Sequence, residues 1–300
     1  MEKQQNPQFF KEVRSQEDAT VKFIFRAPDI IEFSYINKND GKDIICAPTQ
    51  TSCNLGCKFC FLSDYKLKVR NLRLEEIIGP IDHVTESLGL LSHEKRNKVL
   101  LISFMGCGEP LLNLKNVISA AKKIREKYAK EYNVVRFAIA TLVPKPSLLV
   151  HLTEEVQKNS LAVKLHLSLH SPFDEKRKEI MPSASGIKES VELLEQFRKE
   201  TGNSAEIHYA MIDGVNDRDE DLFGLMALFE GRDIPIKFLI YNEKPSLELK
   251  ESMRVAFFRE ELAKRGIVTE FYIPPGRDVG SSCGQFLMEY YLEFNQNKKK

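Results

Sequence analysis

The 300-residue sequence has no apolar run that reaches the roughly 18–20 residues a membrane-spanning helix needs. Its first twenty residues are polar and charged, so the apolar centre of a secretory signal is missing as well. The formal net charge of +1 argues against a protein that holds nucleic acid by bulk electrostatics alone. With 42% hydrophobic and 29% charged residues, the sequence predicts a cytoplasmic globular enzyme without a membrane partner, which we expect to be a monomer.

Internal repeats and low-complexity linkers are also missing, and six cysteines do not suggest a disulfide framework in a cytosolic chain of this length. Four of the six lie between Cys46 and Cys60. Such crowding predicts metal or redox chemistry. Cys107 lies apart from this group, and we interpret it as a small core residue, with a redox role as the alternative.

Apolar runs alternate with helical patterns over most of the chain. Strands are predicted at 21–26, 30–36, 44–47, 99–105, 134–141, 163–169, 207–212 and 236–241. Helices are predicted at 74–90, 115–130, 147–158, 187–199, 220–230 and 251–264. Continuous apolar strands separated by helices indicate an α/β fold whose parallel sheet is buried on both faces. An incomplete barrel and an open doubly wound sheet both fit this pattern.

Chemically distinctive residues gather where the predicted strands end. These residues are Cys53 to Cys60, Gly106 to Pro110, Thr141, Ser168, His170 and Asn242. Ligand sites of barrels and of open α/β sheets lie at the carboxyl ends of parallel strands. The agreement of five strand ends therefore predicts one binding site there.

Cys53, Cys57 and Cys60 follow a CxxxCxxC spacing. Three thiolates this close in sequence are able to hold one 4Fe–4S cube and leave its fourth iron without a protein ligand. The alternative is a structural zinc site with Cys46 as the fourth ligand. Because zinc sites usually use CxxC pairs at wider separation, the spacing favours the iron–sulfur cluster.

This loop, with Phe59 before its last cysteine, resembles the radical SAM superfamily. Further matches extend in order over residues 20–290 and resemble the RlmN/Cfr family of adenine methyltransferases. They are Cys46, Phe-Met-Gly-Cys-Gly-Glu-Pro at 104–110, Ser-Leu-His-Ser-Pro at 168–172, Gly-Val-Asn-Asp at 214–217 and Cys-Gly-Gln at 283–285. The pairing of Cys46 with Cys283 is the most specific part of this resemblance.

The resemblance implies a 4Fe–4S cluster whose open iron binds the amino and carboxylate groups of S-adenosylmethionine (SAM), and whose reduction of SAM yields a 5′-deoxyadenosyl radical. It implies SAM contacts from Gly108, Glu109, Pro110, Thr141, Ser168, His170 and Asn242. It also implies an electron donor such as flavodoxin or ferredoxin.

In the family each turnover uses two SAM molecules, and the resemblance carries this to the present chain. One SAM methylates Cys283, and the radical made from the other abstracts hydrogen from that methyl group. The methylene radical adds to an sp²-hybridised carbon, which is carbon 2 or carbon 8 of an adenine in RNA. Cys46 then attacks Cys283, releases the product and leaves a disulfide, while Glu32 matches a family carboxylate near the target base.

The resemblance also implies a partial (β/α)6 TIM-like barrel at 44–290, preceded by an arm and a two-stranded β addition at 1–43 and followed by a basic tail at 291–300. Members of the family carry an accessory RNA-binding domain before the first strand, and only about twenty residues of the present sequence precede that strand. The resemblance therefore leaves the identity of the substrate open. A small molecule, a free nucleotide or a peptide is the alternative to RNA, and a catalytically inactive iron–sulfur or zinc protein is another. Lys66, Lys68, Arg70 and Arg73 follow the cysteine loop and form a candidate phosphate contact.

Overall fold

A computed structural model of the chain describes residues 6–26, 28–38, 40–64, 67–92, 99–244, 246–282 and 285. The described residues divide into two compact units. Unit 1 takes those within Met1–Asn54, Tyr65–Ile139 and Pro275–Lys300, and unit 2 takes those within Leu55–Asp64 and Ala140–Pro274. The predicted boundaries after residues 43 and 290 differ from this division and stay predictions. The predicted basic tail at 291–300 lies outside the described residues.

Unit 1 is built on strands of mixed direction. In chain order they are β1 (Gln8–Arg14), β2 (Val21–Arg26), β3 (Ile30–Ile36), β4 (Lys42–Cys46), β5 (Val99–Phe104) and β6 (Val134–Thr141), whose last two residues belong to unit 2. Strands β1 to β4 pair antiparallel, whereas β4, β5 and β6 pair parallel. Strand β3 is buried at every position, because both its faces are covered. Helices α1 (Leu74–Ser87) and α2 (Leu114–Tyr128) belong to the same unit.

Unit 2 contains four strands that pair parallel where their register is described. They are β7 (Val163–Ser168), β8 (Ala205–Met211), β9 (Ile236–Ile240) and β10 (Thr269–Tyr272). Its helices are α3 (Pro146–Lys158), α4 (Asp174–Ile180), α5 (Ile187–Thr201), α6 (Asp219–Phe229) and α7 (Val255–Ala263). All seven residues of β8 are buried, as a parallel strand covered on both faces requires.

The eight predicted strands and six predicted helices are present, most with ends shifted by one or two residues. The predicted two-stranded addition is wrong, because β1 makes it three-stranded. Strand β1 carries three charged side chains among seven residues and is largely exposed, so it lacks the apolar run that marks a buried strand. Helix α4 and strand β10 were not predicted either, since both are short and largely charged or exposed.

In the described part of the chain, every helix is too short or too polar to span a lipid bilayer.

Candidate functional site

In unit 1, the Gly-Cys-Gly-Glu-Pro turn follows β5 and packs against the segment that leads into the cysteine loop. The backbone N–H groups of Thr49 and Gln50 both donate to the carbonyl of Cys107, at 2.8 and 3.2 Å. Gly108 has φ +102°, and a Cβ atom there would lie 2.6 Å from the Cβ of Gln50. Only glycine fits this left-handed position with so close a neighbour.

Glu109 lies at the end of this turn and is buried. Its backbone N–H donates to the Gln50 side chain at 2.9 Å, and its Oε1 accepts from the N–H of Leu111 at 3.0 Å. The carboxylate therefore caps the short 3₁₀ helix Pro110–Asn113. The Nε2 of Gln50 in turn donates to Asn71 at 2.8 Å, so an amide chain fixes the turn.

Cys107 is buried inside the turn, as the interpretation of a small core residue expects. Its carbonyl bonds described above give the residue a packing and backbone role. A redox role for Cys107 stays the alternative hypothesis.

In unit 2, the part of the cysteine loop that carries Cys57 and Cys60 folds as a tight turn. The N–H of Cys60 donates to the carbonyl of Cys57 at 3.1 Å, and the N–H of Lys58 donates to Ile180 at 2.9 Å. Cys57 and Cys60 are half-buried, as is Cys53 in unit 1. Partial exposure suits cysteines that bind a metal group, because fully buried structural cysteines are inert.

Lys244 is a residue of this loop's surroundings that sequence reasoning missed. Only 2% of its surface is exposed, and its ammonium donates to the Lys58 carbonyl at 3.1 Å and to the Ser63 hydroxyl at 2.7 Å. Ser63 donates to the Cys60 carbonyl at 2.8 Å. Lys244 also forms an ion pair of 2.6 Å with Asp64, whose pKa is lowered because bonds from Lys244 and Ser246 outweigh the effect of burial.

Arg177 of α4 is a second residue that the sequence did not reveal. It is almost fully buried, and its guanidinium donates to the carbonyls of Leu142, Ser168, Leu169 and Ser185. Burial lowers its pKa to about 10, against the attraction of Asp174 and Cys57, so the side chain stays charged at neutral pH. The cation thus fixes the backbone that carries two of the predicted SAM contacts, Thr141 and Ser168.

Hydrogen bonds fix two of the side chains that are predicted to contact SAM at the strand ends of unit 2, those of Thr141 and His170. Thr141 accepts from the N–H of Val143 at 2.8 Å through its hydroxyl. His170 has φ +54°, and its Nδ1 accepts from the N–H of Ala210 at 2.9 Å. Burial lowers the pKa of His170 to about 3, so the ring is neutral and its proton sits on Nε2. Asn242 is buried just beyond β9.

The Gly-Val-Asn-Asp element at 214–217 has a structural role. The side chain of Asn216 donates to the carbonyls of His170 and Ala210, both at 2.8 Å, and accepts from the N–H of Ile212 at 2.7 Å. It therefore holds the end of β8 against the segment that carries His170.

Cys46 and Glu32 lie on neighbouring antiparallel strands of unit 1. Cys46 is half-buried at the end of β4, opposite Ser34 of β3. Glu32 is buried and forms an ion pair of 3.4 Å with Lys22, whose side chain is equally buried. The carboxylate that is predicted to lie near the target base, that of Glu32, is thus paired with the ammonium group of Lys22.

Cys283 lies outside the described residues, so its predicted approach to Cys46 stays a prediction. The segment just before it is described and belongs to unit 1. Asp278 accepts from the hydroxyl of Ser15 and from the N–H of Gln16, both at 2.8 Å, and the N–H of Gly276 donates to Asp18 at 2.8 Å. The turn between β1 and β2 thereby anchors the chain leading toward Cys283.

The candidate phosphate contact is weaker than the sequence suggested. Arg70 pairs with Asp29 at 2.7 Å and with Glu76 at 2.8 Å, and Arg73 pairs with Glu76 at 3.2 Å. Burial disfavours the charge of Arg70, but the bonds to Glu76 and Asp29 outweigh it and raise the pKa. Lys68 is exposed, and Lys66 lies outside the described residues. Both arginines therefore stabilise unit 1 rather than present free charge.

Comparison with known proteins places this geometry in a family. The radical SAM superfamily matches residues 48–226. A probable dual-specificity RNA methyltransferase RlmN of Clostridium beijerinckii is 32% identical over 292 residues, which cover 95% of this chain and 78% of that protein. The corresponding protein of Thermus thermophilus is 31% identical, with 91% of this chain and 76% of that protein covered.

Solved structures give the same result. A radical SAM methyltransferase from Sphaerobacter thermophilus superposes with a TM-score of 0.82 at 26% identity, covering 93% of this chain and 81% of that one. The predicted α/β radical SAM fold is confirmed by this match. Streptococcus suis SuiB bound to its precursor peptide shares the fold at a TM-score of 0.52 and 15% identity, covering 74% of this chain and 46% of that one.

The donor set agrees with the cofactors of this superfamily, which are a 4Fe–4S cluster and SAM. Three half-buried thiols on one loop are soft ligands suited to iron–sulfur clusters. The glycines of the turn let its backbone pack directly against residues 47–50, where a Cβ atom would clash. The family match favours the cluster over the zinc alternative. By sequence and by fold, the chain belongs to the RlmN family of radical SAM methyltransferases.

Proposed function

We propose that this enzyme methylates an sp²-hybridised carbon of an adenine in RNA, at carbon 2 or carbon 8, through a methylated Cys283. The observation that carries the proposal is the presence of Cys46 and Cys283 outside the cysteine loop. The relatives of this chain are named RNA methyltransferases. Neither cysteine is needed to hold the cluster. Two-cysteine chemistry is therefore the best account of their presence.

In this proposal Cys53, Cys57 and Cys60 hold the 4Fe–4S cluster. When bound, the cluster supplies reductive cleavage of SAM, which gives the carbon radical that the chemistry needs. Gly108, Glu109 and Pro110 of unit 1 contact SAM through the backbone and the buried carboxylate. Thr141, Ser168, His170 and Asn242 of unit 2 contribute hydrogen bonds, and the neutral ring of His170 offers its Nε2 proton as a donor.

Two cysteines carry the methyl group from SAM to the base. The thiolate of Cys283 attacks the sulfonium methyl of one SAM and becomes a thioether. After the carbon bond to the adenine has formed and the adduct has lost one electron and its ring proton, the thiolate of Cys46 attacks the sulfur of Cys283. The carbon–sulfur bond breaks, its electron pair takes up a proton to give the methylated base, and an external thiol reduces the disulfide that is left between the two cysteines. Glu32 lies near the base, with Lys22 fixing its carboxylate.

The proposal also covers the location of the enzyme, its oligomeric state, its electron donor and its affinity for RNA. We place the enzyme in the cytoplasm as a monomer, with a flavodoxin or a ferredoxin as electron donor. Because Arg70 and Arg73 are paired with carboxylates, few phosphate contacts come from this segment. We therefore expect a shallow salt dependence of RNA affinity, since each phosphate neutralised adds about 0.7–0.9 to the logarithmic salt slope.

A Cys46→Ala variant tests the two-cysteine scheme. Expressed with an active cluster, it should still methylate Cys283 but should accumulate a covalent protein–RNA adduct, visible by mass spectrometry after nuclease digestion. Cys107→Ala removes a buried thiol outside the scheme and should release its product. Turnover of Cys46→Ala at the wild-type rate, or a methylated product other than adenine in RNA from cells with the gene, would overturn the proposal.

A further inference from the structure

Two histidines and a glutamate that lie outside the cysteine loop meet on one face of the unit 2 strands. Side chains two residues apart on a strand share a face. His166 of β7 therefore points to the same side as Ser168, and Glu206 of β8 points to the same side as His208. The register pairs His166 with Glu206 and Ser168 with His208, so the three side chains occupy adjacent positions.

The potential ligand atoms are close enough to share one ion. The Nδ1 of His166 lies 2.8 Å from Oε1 of Glu206, and the Nε2 of His208 lies 3.3 Å from the same oxygen. One ligand atom from each of the three residues lies within 4.8 Å of the others. All three side chains are more than nine-tenths buried.

The cluster also contains a polar atom that protein contacts leave unsatisfied. Among the described residues, neither the Nδ1 nor the Nε2 of the buried His166 has a hydrogen-bond partner, so either nitrogen is open to an ion. A buried nitrogen of this kind costs free energy unless something binds it. A metal ion is one partner that satisfies imidazole nitrogens and a carboxylate together.

We propose that His166, Glu206 and His208 form a second metal site, which takes the divalent cation Zn²⁺. Two imidazoles and one carboxylate form a ligand set that binds zinc with a coordination position left open. The nitrogen and oxygen donors distinguish this site from the thiolate loop, which selects iron–sulfur chemistry. Because His208 is paired directly with Ser168, the ion fixes β7 and β8 beside a proposed SAM contact.

Two lysines must be accommodated for the ion to bind. The ammonium groups of Lys164 and Lys237 both contact Glu206. Lys237 already has a second carboxylate partner, Glu270, at 3.2 Å, and the side chain of Lys164 is 36% exposed to solvent. Either ammonium is able to swing away on its flexible stem when the ion arrives. The lysines therefore compete with the metal for Glu206.

The test is the metal content of the full-length holoenzyme, with iron as the internal control. After dialysis we expect about one zinc per chain in addition to the four irons of the cluster. His208→Gln should retain its iron and lower the zinc affinity by about tenfold or more, as loss of a direct ligand should exceed typical outer-sphere effects. His151→Gln, which changes an exposed histidine of α3, should leave both metals unchanged.

X-ray absorption at the zinc edge identifies the ligands. The site predicts nitrogen and oxygen neighbours at about 2.0–2.2 Å, whereas zinc lodged on the cysteine loop would show sulfur at about 2.3 Å. A sulfur shell, or equal zinc in wild type and His208→Gln, would overturn the proposal. Absence of zinc after reconstitution with that metal would do so too. Iron content reports separately on the cluster, so this test and that of the proposed function fail independently.

The lysines give a second variant that does not remove a ligand. Lys164→Met removes a competing ammonium at a half-exposed position, where the protein should still fold. Its zinc affinity should rise severalfold if the lysine competes for Glu206. If zinc affinity is unchanged or falls, the lysine is part of a polar network and the metal site is excluded.

Discussion

The two groups of proposed SAM contacts are held by different physical means. In unit 1 the Gly-Glu-Pro turn is fixed by neutral amides, Gln50 and Asn71, and by a glycine too close to its neighbour for any side chain. In unit 2 the cysteine loop and strand ends are fixed by two buried cations, Lys244 and Arg177, which bind backbone carbonyls. The turn in unit 1 should therefore be destabilised when a side-chain atom is added at the glycine. The cysteine loop and strand ends in unit 2 should be destabilised when a buried cation is removed.

The largest expected effect is the removal of Arg177. Arg177→Met keeps much of the buried volume but leaves four carbonyls without their donor. Because breaking a buried charged network typically costs about 3–5 kcal/mol, the free energy of unfolding should fall by that amount. Urea denaturation measures it.

Arg198→Met is the matched control for this prediction, since Arg198 pairs with the highly exposed Asp233 and a surface pair is worth about 0–1 kcal/mol. If both variants lost the same free energy of unfolding, the four carbonyls would have found other donors in Arg177→Met. Unit 2 would then not depend on the buried charge of Arg177.

The contrast also explains how far the sequence could predict the structure. The strands were predicted because their apolar runs are long. Glu109 and the three cysteines proposed to hold the cluster were singled out because their motifs are local. Arg177 lies in the charged segment Asp174–Ile180, which is typical of a solvated surface. Its burial depends on carbonyls contributed by three other parts of unit 2, and no local pattern encodes such a tertiary contact.

The burial of Lys244 and of Lys22 also depends on tertiary contacts, so the sequence did not predict it either. A lysine on an amphipathic strand is typical of an exposed face, yet Lys22 is buried against Glu32. Resemblance supplied Glu32 but not its partner, because the motif records the carboxylate and not its surroundings. Sequence therefore supplied the groups that are proposed to act, and structure was needed for the groups that position them.

The steric side of the comparison is sharpened by a pair of glycines. Gly108 and Gly202 both have positive φ, but only Gly108 has a neighbour within 4 Å of the added Cβ. Alanine in a left-handed conformation costs about 1–2 kcal/mol. Overpacking adds about 1–3 kcal/mol at Gly108 alone, so Gly108→Ala should be the more destabilised variant in urea.

Binding of SAM separates the two glycine variants further. Gly108→Ala should weaken it, since the turn must shift away from Gln50, while Gly202→Ala at the end of α5 should bind as wild type does. Equal stability and equal SAM affinity in the two variants would contradict a turn fixed by close approach.

The smallest effect on stability is expected at Lys244, where the consequence for the cluster is more informative. Lys244→Met removes the donor to Lys58 and Ser63 and breaks the pair with Asp64. Asp64 is 36% exposed, so water replaces part of the lost interaction, and the loss of stability should be about 1–2 kcal/mol. Urea denaturation should show this loss relative to Lys250→Met, which breaks an exposed pair with Glu243.

The ammonium of Lys244 also reaches Cys60 through the hydroxyl of Ser63, so its removal changes the electrostatic setting of the loop. Loss of a nearby positive charge disfavours the more negative reduced cluster, and the midpoint potential should shift to a more negative value. Lys244→Arg restores the charge and should bring the potential back toward that of the wild type, although its longer fork strains the buried position. If Lys244→Met keeps its iron and has the same midpoint potential as the wild type, Lys244 contributes only to packing. The proposed difference between the two units would then no longer include an electrostatic effect of Lys244.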